Sequence, residues 1–92
     1  MTYNILIEGM TDSILCFNVT EEIAWALVKA RWETLDQEEV WVYLDEGSCL
    51  SSANSLKHKD NSFFMDATDW EGITLKSLKY RFDKCIKEIK EG

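Results

Sequence analysis

A chain of 92 residues with 46% hydrophobic and 29% charged side chains has room for one core and no second domain, and it is too apolar for a disordered tail. Its formal charge of −7 works against a general role on nucleic acid or anionic membrane. No apolar run approaches the roughly 20 residues of a membrane span.

The N-terminal MTYNILIEG lacks the basic, apolar and small-residue zones of a signal peptide, so a cytoplasmic location is expected. Cys16, Cys49 and Cys85 are odd in number and far apart, with no CxxC pair and a single histidine in the chain. Neither a disulfide framework nor a structural zinc site is expected, and no cofactor or other metal.

In chain order, Tyr3 to Glu8 carries the apolar run Ile5, Leu6, Ile7 and ends at Gly9, which predicts a short strand buried on both faces. Ser13 to Val19 alternates Ile14, Cys16 and Asn18 against Leu15, Phe17 and Val19, a second strand joined to the first as a hairpin. Thr20 to Leu35 is the central helix. Thr20 caps it, Glu21 and Glu22 suit its positive pole, and its apolar residues spread over more than half the circumference, so more than one neighbour must cover it. Arg31 falls inside that apolar arc. Either its stem lies along the core with the guanidinium reaching water, or a carboxylate meets it inside.

Val40 to Leu44, VWVYL, predicts a third strand with Val40, Val42 and Leu44 on one face and Trp41 and Tyr43 on the other. The aromatic pair is a binding surface if that face is open, and ordinary packing if loops cover it. Glu46 to Asn61 reads as the longest loop. Ser62 to Met65 reads as a short edge strand, open to pairing with a second copy in a homodimer. Asp66 to Gly72 is a polar connection anchored by Trp70. Thr74 to Lys90 spaces Leu75, Leu78, Phe82, Cys85, Ile86 and Ile89 along one helical stripe under a lysine-rich outer side.

The order ββαββα predicts a two-layer α+β domain over residues 1–92, with a mostly antiparallel sheet of three or four strands and two helices on one face. A helix joining Val19 to Val40 leaves one parallel pair as an alternative.

Charge is unevenly spread. Residues 1–56 hold ten acids and two bases, whereas residues 57–92 hold seven acids and eight bases. Nucleophilic chemistry has one candidate set, Cys49 or Ser48 with His58 and Asp60, whose residue types suit catalysis but whose spacing follows no rule. The lysines of the last helix make nucleic-acid binding a rival function, opposed by the net charge. The leading expectation is a non-enzymatic protein-binding module. Glu38, Glu39, Asp45 and Glu46 flank Trp41 and Tyr43, an acidic and aromatic sector suited to occluding a basic surface on a partner protein. In scale and acidity the chain is similar to phage-encoded inhibitors and to immunity proteins that neutralise basic toxins. That likeness covers size and composition, and no motif.

Overall fold

A computed structural model describes residues 1–66 and 74–91. The elements are β1 (Tyr3–Glu8), β2 (Ser13–Val19), α1 (Glu21–Thr34), β3 (Val40–Glu46), α2 (Ala53–Lys57), β4 (Ser62–Met65) and α3 (Leu75–Glu91). The connection expected to hold Trp70 lies outside the described residues, apart from Asp66, which is buried.

The four strands form one sheet in the order β2-β1-β3-β4, and every neighbouring pair is antiparallel. β1 lies between β2 and β3, so the helix that joins those two strands crosses over β1 and creates no parallel pair. Central placement explains why Tyr3 to Ile7 are buried on both faces.

The inner face carries Tyr3, Ile5, Ile7, Val40, Val42, Leu44, Phe63 and Met65 against Ala24 and Val28 of α1 and Leu78, Phe82, Cys85 and Ile86 of α3. The fold is the expected α+β sandwich with both long helices on one face. α1 needs two neighbours: the sheet buries Ala24 and Val28, while Trp25 meets Phe82 of α3 at 5.4 Å between ring centroids. Lys79 Nζ lies 5.1 Å from the Trp25 centroid and 2.7 Å from Asp83 Oδ1, so its charge is matched on both sides. Thr20 Oγ1 accepts from the Ile23 amide and Thr74 Oγ1 from the Ser77 amide, satisfying free amides at the start of α1 and α3.

Two details differ from the sequence reading, and one alternative it left open is decided. β2 is inverted in phase at its end: its register against β1 shifts between Tyr3 and Ile5, and Asn18 takes a φ of 53°. Phe17 and Asn18 are both exposed, and Val19 packs against the core with Ile14 and Cys16. The stretch read as a long loop contains α2, capped by Ser52 Oγ on the Ser55 amide and anchored by fully buried Leu56. α2 packs on β1 and β3 from the side opposite the long helices, so it covers part of the outer face. Arg31 takes the second of its two alternatives: its side chain is 13% exposed and its guanidinium meets Glu38 and Asp12.

Candidate functional site

Alternation along β3 sends Trp41, Tyr43 and Asp45 to the outer face, and the register sets Trp41 opposite Glu8 and Phe64, Tyr43 opposite Leu6 and Ser62, and Asp45 opposite Asn4. Three rows result, each with a different fate.

In the Asn4–Asp45 row, polar side chains hold the loop after β3. Asn4 is 1% exposed; its Nδ2 donates to the carbonyls of Glu46 and Cys49, both at 3.1 Å, and to Ser51 Oγ at 3.3 Å, while its Oδ1 accepts from the Asn18 amide. Asp45 accepts from Ser51 Oγ at 3.0 Å and from the Glu46 amide at 2.8 Å, with Lys59 Nζ at 3.5 Å. The loop so fixed presents Leu50 to solvent beside Phe17, across a hollow of about 330 Å³.

The Leu6–Tyr43 row lies under α2. Lys57, on α2, forms an ion pair with Glu8, which clips the short helix to β1. Burial, reinforced by the Glu8 charge and opposed by Lys57, pushes the Tyr43 phenol above its ordinary pKa, so it stays neutral.

The third row is open. Trp41 is 42% exposed, with Tyr43 stacked at 6.1 Å and an interplanar angle of 26°, and with Phe64 tilted at 5.1 Å. Three rings on rigid, paired strands form one aromatic surface with little side-chain entropy left to lose. Phe64 was absent from the expected set, although the alternation of SFFM places it on the face opposite Phe63 and Met65.

The expected acidic residues divide. Glu38 is half-buried: Oε2 lies 2.6 Å from Arg31 Nη2, and Oε1 accepts from the Met10 and Thr11 amides. Its partial desolvation opposes ionisation, but the two amides and the guanidinium outweigh it and hold the carboxyl below its ordinary pKa. Asp45 is buried in its loop, and Glu46 Oε1 accepts from Ser48 Oγ at 2.8 Å. These three carboxylates serve the fold. Glu39, two residues before Trp41, is exposed, as are Glu33 and Asp36.

Among the described residues, no hydrogen bond joins His58 to Ser48, Cys49 or Asp60; His58 ends α2 with its amide on Ser55 and Leu56 carbonyls. Cys49 is exposed and the Ser48 hydroxyl is committed to Glu46. No group of three or more His, Cys, Asp or Glu able to hold a metal occurs among the described residues. No helix among them is long and apolar enough to cross a membrane.

On the far side, α3 and β4 flank a groove of about 900 Å³ bordered by Lys76, Tyr80, Arg81 and Lys84. Burial, with help from Glu88 and against Lys84, raises the Cys85 thiol there to about 11, which leaves it protonated and a poor nucleophile near neutral pH. Comparisons with protein-family models, with curated proteins and with solved structures find no match to this chain, so its function is read from the residues themselves.

Proposed function

We propose that this chain is a non-enzymatic protein-binding module that docks through the open row of its sheet, with Trp41 as the anchor and Tyr43 and Phe64 as its support. The observation that carries the reading is the exposed Trp41 ring held between two aromatic neighbours on paired strands. Such a ring supplies contact area that is already ordered before binding, the property of an interface hot spot. Glu39, Asp36 and Glu33 supply the negative field that favours a basic partner and speeds encounter. Occlusion of a basic surface, in the manner of a phage-type inhibitor or an immunity protein, is the activity this combination suits. The internal engagement of Glu38, Asp45 and Glu46 narrows the contact set to Trp41, Phe64 and Glu39, with Tyr43, partly covered by α2, backing the Trp41 ring.

Affinity capture from the source cell with the wild-type chain, Trp41→Ala and Glu39→Lys tests it. A partner retained by wild type, lost with Trp41→Ala and weakened by Glu39→Lys and by added salt supports the reading, provided the variants keep their far-ultraviolet circular dichroism. Capture of the same proteins by wild type and folded Trp41→Ala would overturn it.

A further inference from the structure

The groove between α3 and β4 is a second surface, independent of the aromatic row, and its charge runs against that of the molecule as a whole. Lys76, Tyr80 and Lys84 recur every four residues, so they follow one ridge along α3 beside the groove, winding about 40° per step. Lys76 and Lys84 take part in no ion pair among the described residues, unlike Lys79, Lys87 and Lys90. Tyr80 is 72% exposed, a large aromatic ring about one helical turn from each of the two lysines. The inner wall is apolar, from Phe63 of β4 and Cys85 of α3. Uncompensated lysines in a chain of net charge −7 mark a place where negative charge is welcome.

We propose that this groove takes a short acidic peptide segment of a partner protein, in extended form, with two carboxylates four residues apart and an aromatic or apolar side chain midway between them. The spacing follows from geometry. Lys76 and Lys84 are separated by eight residues of helix, a rise of about 12 Å. Side chains four residues apart on one face of an extended chain are about 13 Å apart. Tyr80 lies about 6 Å along the helix from each lysine, level with the middle residue of such a segment. Each carboxylate then meets one ammonium group, and the central side chain lies against the phenol ring.

Nucleic acid offers the same negative sign but fits less well. Asp60 and Glu88 also border the groove, where a continuous run of phosphates would pass close to both carboxylates. The molecule is 35 Å in its longest dimension and acidic elsewhere, so a strand longer than the groove meets a repelling surface. A peptide carries its charge at two points and is neutral between them.

The test is an amide chemical-shift titration of the full chain with a synthetic heptapeptide bearing Glu, Phe and Glu at alternate positions. A control peptide of the same composition has its two acids adjacent, and a third probe is a short oligothymidylate. The expected result is shift changes confined to α3 and β4 with the patterned peptide, at least twofold weaker binding of the control, and loss of the changes at about 0.5 M salt. Lys76→Gln and Lys84→Gln should each weaken the peptide two- to fivefold, the range for exposed ion pairs. Trp41→Ala should leave the titration unchanged, which separates this surface from the aromatic row. Absence of shifts on α3, wild-type affinity for the peptide in both lysine variants, or tighter binding of the oligothymidylate than of the peptide would each overturn the proposal.

Discussion

Arg31 Nη2 lies 2.6 Å from Glu38 Oε2, and through the other oxygen of that carboxylate the end of α1 is tied to the Met10 and Thr11 amides of the β1–β2 turn. One side chain thus ties the end of α1 to a turn 27 and 28 residues before it in the chain. A Cβ at Gly9 would come within 2.5 Å of Glu38 Oε1 and 2.6 Å of Arg31 Nη2, so this arrangement requires the bare backbone there. Because the folded Glu38 carboxyl is held below its ordinary pKa, its contribution to stability is complete at neutral pH. It declines as pH falls below the unfolded value of about 4.3 and is lost below the lowered folded value. Glu38→Gln should therefore unfold at lower urea than wild type at neutral pH, and the gap should close in strong acid. Urea titrations across that range check it; a gap that persists unchanged in acid would contradict the assignment.

Asn4 organises the loop after β3 as the ion pair organises the turn after β1. With Asn4→Ala the Asn18 amide and two carbonyls lose their side-chain partner beneath the surface, at a cost of about 2–3 kcal/mol. Asn4→Asp should be no better, because a carboxylate offers no donor to those carbonyls and stands opposite Asp45. Chemical denaturation reads the loss. Hydrogen exchange locates it: the Asn18 amide should exchange faster in Asn4→Ala, and equal protection in the two proteins would count against this role. Gly47 closes the same loop, where a Cβ would lie 2.9 Å from the backbone carbon of Thr2.

Periodicity made the long elements legible. The alternation of VWVYL and the stripe of α3 each follow from burial on one side of a repeating backbone, and both were readable without coordinates. α2 was not, because five residues are too few for a helical period, although Ser52 three residues before Ser55 and a lone Leu56 were its traces. The outward turn of Asn18 leaves no mark in the sequence, because a bulge shifts phase without changing composition. For the candidate site, the faces of Trp41 and Tyr43 were readable, whereas the pairing that adds Phe64 depends on strand order. The number of carboxylates is legible in the sequence, and their placement is not. Whether Glu38 or Glu39 faces water depends on Arg31, seven residues before the former and fixed by tertiary packing.

The three thiols should separate cleanly by reactivity. Cys49 is exposed, Cys16 half-buried and Cys85 buried with its thiol raised to about 11. A thiol-specific reagent at pH about 8 should modify Cys49 first and Cys85 last, since attack needs both access and thiolate. Peptide mapping by mass spectrometry at successive times checks the order. Early labelling of Cys85 in the folded chain would mean that the α3–β4 wall opens more readily than its packing implies.

Tyr3 offers a stability gain within the core. Its ring is 1% exposed, paired across the sheet with Val19 and Glu46, yet its buried hydroxyl has no hydrogen-bond partner among the described residues. A hydroxyl taken from water without compensation costs about 1–3 kcal/mol, and Tyr3→Phe removes that cost while keeping the ring and its contacts. The one-atom gap left behind offsets part of the benefit, so the expected net gain is about 1 kcal/mol. For a domain of this size that corresponds to a rise in Tm of roughly 4–8 °C. Calorimetry of the two proteins reads it directly. If Tyr3→Phe melts lower instead, the hydroxyl has a partner in solution, and the inner face beneath β1 is wetter than its packing suggests.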